Sequence, residues 1–171
     1  MPTSISDDDE QNDDDQDLGQ DDAIEMLSDV YVEVQQIFVD HDSLVDDMAN
    51  AAERESLASE ICALLTTHAP IEEEIFYPDA QQVLHGEDLI DLALAEHAKA
   101  KQLMAEIEAA SANEAGYDER VCQLGEAINK HVREEEESLF VLVTNAGLDV
   151  RDVGRQLFDR REELLAELDV D

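Results

Sequence analysis

The chain of 171 residues is long enough for one domain with a substantial core, and apolar residues make up 43% of it. Acidic residues outnumber basic ones by 46 to 10, which gives a formal net charge of −36. That charge excludes nucleic acid as an expected partner and disfavours anionic membrane surfaces, because like charges repel at long range.

Glycine and proline are scarce, with six and three residues, as is typical of an all-helical chain. No apolar run approaches the roughly 18 residues that a membrane-spanning helix needs. The acidic N-terminus also lacks the apolar region of a signal peptide. We therefore expect a cytoplasmic protein that makes no contact with a membrane.

The first 21 residues are rich in aspartate and glutamine and nearly free of apolar side chains, which predicts a disordered acidic tail. Beyond them, apolar positions recur at steps of three and four, which predicts a first helix over 22–49. Its stripe comprises Ile24, Leu27, Tyr31, Val34, Phe38, His41, Val45 and Met48.

A second helix with the same periodicity is predicted over 53–77. Pro78 should end it, because proline cannot continue the backbone hydrogen-bond ladder. A third helix is predicted over 87–110 and a fourth over 118–147, where Gly147 is suited to the C-terminal cap.

A fifth predicted helix covers 149–169, and its inward-facing residues are Val153, Leu157, Leu164 and Leu168. Four long helices with short connections favour an up-down-up-down bundle. The sequence thus predicts an all-α fold in three parts. These parts are the disordered tail (1–21), a four-helix bundle (22–147) and a C-terminal helix packed on the bundle (148–171).

Two segments repeat one pattern, in which a glutamate follows a histidine by four residues. The pair is His68 and Glu72 in the second helix, and His131 and Glu135 in the fourth. Residues four apart project from the same face of a helix, so each pair shares one face. Both glutamates fall on the apolar stripes, where an unpaired carboxylate is costly to bury.

Basic residues are too few to neutralise these carboxylates, since the second helix carries only Arg54, far from Glu72. A bound cation is therefore the simplest source of positive charge inside the bundle. The neighbouring acidic residues point elsewhere on their helices and are expected to be solvated; they are Glu73, Glu74, Glu134, Glu136 and Glu137.

Counting residues back from the connecting turns places His97 of the third helix at the level of both pairs. Ala93 and Ala100, one turn to either side, leave room for ions and small ligands. The same count across the first two helices places Tyr31 at this level and His41 roughly 15 Å further along the first helix. The expected sixth protein ligand is therefore Tyr31, and the alternatives are His41 or a site with no ligand from the first helix.

The segments His68–Pro78 and His131–Phe140, together with Glu96–His97, resemble the hemerythrin family in its branch of HHE cation-binding domains. The resemblance extends over about 22–165. It implies a four-helix bundle that holds two non-haem iron ions with bridging carboxylates. By position it implies that His68, His97 and His131 are terminal ligands. It implies that Glu72 and Glu135 are the bridging carboxylates.

The resemblance departs in the first helix, where Tyr31 stands in the place of the usual histidine, seven residues before Phe38. A bound phenolate stabilises Fe(III), which favours peroxide chemistry or sensing over reversible O2 carriage. Imidazole, carboxylate and phenolate ligands suit iron, with manganese or zinc as poorer fits.

The function implied is that of a hemerythrin-like di-iron protein that binds or reacts with O2, H2O2 or NO as a small ligand. Two classes of protein fit this description. One is a metal-dependent enzyme resembling a catalase or an oxidase, and the other is an iron- or oxygen-sensing module without turnover.

Overall fold

The computed structural model describes residues 22–47, 50–85 and 88–168, and within these ranges every regular element is a helix. The all-α prediction is therefore confirmed for this part of the chain. The predicted acidic tail lies outside the described residues.

Seven α-helices and two π-helical turns follow one another in the described residues. The α-helices are α1 (Ala23–Asp46), α2 (Ala51–Ile71), α3 (Tyr77–Val83), α4 (Leu89–Glu108), α5 (Tyr117–Glu134), α6 (Phe140–Asn145) and α7 (Val150–Leu168). The π-helical turns are π1 (Glu72–Phe76), which joins α2 to α3, and π2 (Glu135–Leu139), which joins α5 to α6.

Side-chain caps fix where the first two helices begin. The Asp22 carboxylate accepts hydrogen bonds from the backbone N–H groups of Ile24 and Glu25, and the Glu25 side chain accepts one from the N–H of Asp22. This reciprocal pair is a capping box. Asn50 caps α2 by accepting from the N–H of Glu53.

The expectation that Pro78 ends the second helix is wrong, because the helix continues through π1 into α3 as far as Val83. In π1 the N–H of Tyr77 donates to the carbonyl of Glu72, five residues back. Pro78 follows at once, in the first turn of the next α-helical segment. Proline is tolerated in a first turn, where its missing N–H leaves no bond unmade.

Gly147 lies just past α6 with φ of +84°, in the left-handed region that favours glycine. Its N–H donates to the carbonyl of Thr144, and the N–H of Leu148 donates to that of Val143. Gly147 therefore closes the predicted fourth helix in the expected way.

The helices pack side by side around one apolar core. Helix α1 contacts α2, α5 and α7, and helix α4 contacts α5 and α2. The largest side chains that are fully buried include Tyr31, Phe76, Tyr77, Ile61 and Leu124. This packing brings the few polar residues on the apolar stripes of α1, α2, α4 and α5 to a common level.

Helix α7 lies against α1, α2 and π1. Val153 and Leu157 in its first half are buried and Leu164 is half-buried, as expected. Leu168 is 54% exposed, so its predicted inward orientation is wrong. The reason is its place at the end of the helix, beyond the turns that carry the buried residues.

No helix among the described residues has both the length and the apolar character that crossing a membrane requires.

Candidate metal centre

A cluster of polar side chains lies inside the apolar core. Five of its members are histidines or glutamates that are at most 6% exposed, and they are His68, Glu72, His97, His131 and Glu135. Two tyrosines, Tyr31 and Tyr77, complete the cluster and are each 1% exposed. The helical stripes read from the sequence therefore do converge on one buried point.

Glu72 lies at the middle of the cluster. Its Oε1 is 3.3 Å from Nε2 of His68, and its Oε2 is 3.1 Å from Nε2 of His97. Nε2 of His97 is in turn 3.2 Å from Nε2 of His131. Single ligand atoms of Glu72, His97 and His131 all lie within 4.8 Å of one another, a spacing at which one metal ion can be shared.

Tyr31 of α1 spans the two inner carboxyl groups. Its hydroxyl is 2.6 Å from Oε1 of Glu72, 2.5 Å from Oε2 of Glu135 and 3.4 Å from Nε2 of His131. The structure thus brings Tyr31 into the cluster with the five other residues proposed from the sequence.

His41, the alternative candidate on the same helix, lies elsewhere. Its Nε2 is 3.7 Å from Oδ1 of Asp118 and its Nδ1 is 3.9 Å from Oδ1 of Asp42. Asp118 also pairs with Arg54. Burial lowers the pKa of His41, although both aspartates oppose this shift. His41 is therefore a core histidine at the α1–α5 contact, away from the cluster.

Tyr77 is a cluster member that the sequence reading missed. Its hydroxyl is 2.6 Å from Oε1 of Glu135 and 3.1 Å from Nε2 of His97. On a regular α-helix a residue five positions after Glu72 would point roughly 140° away from it. The π1 turn removes that offset, since its hydrogen bonds join residues five apart. An aromatic residue five positions after Glu72 was the feature of the sequence from which this cluster member could have been found.

The two inner carboxyl groups have opposite tendencies to ionise. Burial disfavours the charge of Glu72, but the contacts with His68 and His97 outweigh burial and hold its pKa well below the ordinary value. Burial, followed by the nearby charge of Glu72, raises the pKa of Glu135 well above the ordinary value. Without a cation, the pKa values of the two groups are therefore pushed apart, that of Glu72 downward and that of Glu135 upward.

The hydroxyl group of Tyr31 is the donor in both of its short contacts, to Oε1 of Glu72 and to Oε2 of Glu135. The hydrogen bonds that Glu135 accepts from Tyr31 and Tyr77 oppose the rise in its pKa, but burial and the charge of Glu72 outweigh them. Burial, with the nearby carboxyl groups of Glu135 and Glu72, raises the pKa of Tyr31 well above its ordinary value and keeps the phenol neutral.

An outer layer of two carboxylates orients the histidines. Oε1 of Glu73 lies 2.8 Å from Nδ1 of His97, and Oε2 of Glu96 lies 3.1 Å from Nδ1 of His131. These contacts place the ring hydrogens on Nδ1 and leave both Nε2 atoms free to face the cluster. The expectation that Glu73 is solvated is therefore wrong, because His97 and a lysine hold it at 25% exposure.

Each outer carboxylate also pairs with a lysine at the surface. Nζ of Lys101 lies 2.7 Å and 2.9 Å from the two oxygens of Glu73, and Nζ of Lys130 pairs with Glu96. The pKa of Glu73 and that of Glu96 are both lowered, since these partners outweigh partial burial. Both lysines therefore form their ion pairs outside the cluster, with the outer carboxylates and not with Glu72 or Glu135.

His68 completes the case for a cation. Within the described residues neither of its ring nitrogens has a hydrogen-bond partner of acceptable geometry, although the side chain is buried. His41 is unpartnered in the same way, and what distinguishes His68 is that its Nε2 lies 3.3 Å from Oε1 of Glu72 inside the cluster, where a metal ion would accept its lone pair. Imidazole nitrogens and carboxylate oxygens converging in this way form a donor set that fits a transition-metal ion.

We expect the outer carboxylates to contribute to metal affinity without touching the metal. Replacing Glu73 with glutamine should weaken metal binding by about 10- to 100-fold, because His97 exchanges a charged acceptor that sets its tautomer for a neutral amide that can also donate. Titration of the metal-depleted protein with Fe(II) under nitrogen measures this. The matched control is Glu136→Gln, an exposed glutamate in π2, which should leave the affinity unchanged. Equal affinities in the two variants would contradict the assigned role of Glu73.

Comparison with known proteins agrees with the site. Residues 22–143 match the family described as the hemerythrin HHE cation-binding domain. A crystal structure of an HHE cation-binding domain-containing protein from Mycobacterium kansasii superposes with a TM-score of 0.69. It covers 84% of this chain and 86% of that one at 21% identity, a likeness that establishes the fold alone.

A sequence relative from Nostoc sp. carries the name DNA nickase. It is 36% identical over 81 residues, which make up 47% of this chain and only 23% of the relative. The match therefore concerns a minor part of that protein.

Proposed function

Because this chain belongs to the hemerythrin HHE cation-binding domain family, we propose that its buried cluster holds two iron ions and that this iron pair binds or reacts with O2, peroxide or NO. In this proposal α1, α2 with α3, α4, and α5 with α6 form the four-helix bundle of the family. Helix α7 covers its outside.

One observation carries the proposal, namely two carboxyl groups buried in the core without a basic side chain beside them. Glu72 is 0% exposed and Glu135 is 2% exposed. Among the described residues their polar contacts are histidines and tyrosines, while Lys101 pairs with Glu73 further out. Bound cations would neutralise this pair when both groups are ionised, and iron accepts imidazole together with carboxylate ligands.

We assign roles to the ligands as follows. Glu72 and Glu135 would hold the ions through their carboxylates, since each presents both oxygens to the cluster. His68, His97 and His131 would bind through the Nε2 nitrogens that face inward. Tyr31 would bind from α1 as a phenolate. Tyr77 remains a phenol whose hydroxyl donates a hydrogen bond to Glu135 and orients it.

An iron pair supplies electrons and ligand positions for O2, H2O2 or NO. The chain supplies a dry site, because all seven cluster side chains are nearly inaccessible to water. The hydroxyl oxygen of Tyr77 lies 2.6 Å from Oε1 of Glu135 and 3.1 Å from Nε2 of His97, so its hydrogen is available at the site. Since a phenolate favours Fe(III), Tyr31 favours reaction with peroxide, or sensing, over the reversible storage of O2.

The name of the Nostoc relative refers to DNA, which the charge of this chain disfavours as a partner. DNA would meet a protein with 46 acidic and 10 basic residues, and the electrostatic repulsion opposes its approach.

The test compares three small ligands on iron-loaded protein. We expect NO added to the reduced protein under nitrogen, and H2O2 added to the oxidised protein, to change the visible absorption spectrum. Oxygen evolution from H2O2 that is lost in Glu72→Ala would identify an enzyme. Tight binding of O2 or NO without turnover would identify a sensing module. An iron-loaded protein that responds to none of the three would contradict the proposal.

A further inference from the structure

A cavity of about 260 Å³ adjoins the cluster on the side away from π1 and π2. Four rings of the cluster form one wall of it, and they are Tyr31, His68, His97 and His131. The remaining walls are mainly aliphatic, with Leu65 from α2, Ala100 and Met104 from α4, and Ile128 from α5. The cavity therefore joins an apolar space to the ring faces of the proposed ligands.

The cavity is far larger than a diatomic ligand requires. A water molecule occupies about 30 Å³ of the liquid, and O2 or NO needs similar room. An engineered apolar cavity of roughly 150 Å³ in another protein takes up benzene. The space beside the cluster exceeds that volume, so a single aromatic ring fits with room for a substituent.

The chemistry of the walls selects an uncharged occupant. The lining surface is almost entirely carbon, so water inside would find few hydrogen-bond partners. Lys101 at the rim is bound to Glu73, which offsets its charge. The net charge of −36 further opposes the approach of an organic anion.

The cavity is also accessible from outside. Thr66 and Lys101 line it and are both exposed, so they mark its mouth between α2 and α4. Ala100, one turn along α4 from His97, leaves the space that a larger side chain would fill.

We propose that this cavity binds an uncharged apolar organic molecule, of about the size of a substituted aromatic ring, against the rings of the cluster. That this molecule would lie beside an iron pair rests on the proposed function. That it binds in the cavity rests on the volume and the lining alone.

The first test uses toluene as the probe and the full-length protein as purified. Toluene at several times its Kd should raise the melting temperature by about 2–4 °C, because it binds the folded state only. In metal-depleted protein labelled with ¹³C at the methionine methyl groups, toluene should shift the Met104 signal and leave that of Met26 unchanged. Met26 lies in the core outside the cavity. Absence of both responses would overturn the inference.

Two variants locate the binding. Ala100→Leu fills the cavity, so it should weaken toluene binding at least about tenfold while keeping or raising the melting temperature without toluene. The control is Ala98→Leu, an exposed position on the same helix, which should bind toluene as the wild type does. Toluene binding that survives in Ala100→Leu would place the probe elsewhere and overturn the inference.

These outcomes are separable from those of the iron proposal. Two irons per chain with no response to toluene would leave the proposed function in place and reject the apolar ligand. A response to toluene in a protein that takes up no iron would support the apolar ligand of the cavity and reject the iron pair.

Discussion

Replacing Glu135 with glutamine is expected to stabilise the metal-free protein and to abolish its binding of iron. In the metal-free state burial and the charge of Glu72 raise the pKa of Glu135, so the folded protein binds this proton more tightly than the unfolded chain does. Stability from this group is fully present below the ordinary carboxyl pKa of about 4.3, and it is lost as the pH rises through the raised value.

Glutamine has the shape of the protonated acid and never ionises, so the variant avoids that loss. We expect its free energy of unfolding at neutral pH to exceed that of the metal-free wild type by roughly 1–4 kcal/mol, as when buried charges are replaced by neutral groups. The difference should disappear below about pH 4. Urea unfolding of both proteins across this pH range measures it.

Iron binding should respond in the opposite direction. A neutral amide cannot bridge two cations as a carboxylate does, so affinity should fall by at least about 100-fold, more than for loss of an outer carboxylate. The matched control is Glu137→Gln, two residues further along π2 and exposed, which should change neither quantity. A Glu135→Gln variant that is destabilised without metal, or that still binds two irons, would contradict the account.

The visible spectrum of the ferric protein should depend on Tyr31 and not on Tyr77. A phenolate bound to Fe(III) gives a charge-transfer absorption band, which we expect to be lost in Tyr31→Phe and retained in Tyr77→Phe. Tyr31 makes short contacts with both inner carboxyl groups, those of Glu72 and Glu135, at 2.6 Å and 2.5 Å. Tyr77 makes only one, at 2.6 Å to Glu135, since its distance to Glu72 is 3.5 Å.

These two variants are well matched, because each removes one buried hydroxyl group from the same cluster. Burial raises the pKa of both tyrosines, so neither ionises without a metal ion to replace its proton. Absorption spectroscopy of the ferric forms at equal iron content distinguishes them. Loss of the band in Tyr77→Phe alone would transfer the ligand role to Tyr77.

The sequence was sufficient to place most of the cluster because regular helical periodicity governs most of the chain. Residues spaced by three and four keep to one face of a helix, and this puts His68 with Glu72 and His131 with Glu135. Short connections then fix which levels of neighbouring helices meet. That argument brought His97 and Tyr31 to the same level, as found in the structure.

Two of the missed features, the place of Tyr77 and the continuation of the helix through Pro78, share one physical cause, which is the π1 turn. A π turn changes the phase of every residue after it, and nothing in the local sequence Glu72–Phe76 distinguishes it from an α-helix. This change of phase brings Tyr77 into the cluster and lets the helix pass through Pro78. The turns depend on tertiary packing, which periodicity alone does not encode.

The outer carboxylates were missed for a different reason. Glu73 follows Glu72 directly, so it points away from the core on its own helix, as a solvated residue does. Its partner His97 belongs to α4 and reaches it across the helix–helix contact, 24 positions further along the chain. Such a contact follows from the relative rotation of two helices, which their separate stripes leave undetermined.

The most direct test of the central claim is elemental analysis of the purified protein, expressed with iron in the medium. The account predicts close to two irons per chain in the wild type and close to none in Glu135→Gln. A protein without iron, or with a single loosely held zinc ion, would contradict the di-iron site at this cluster.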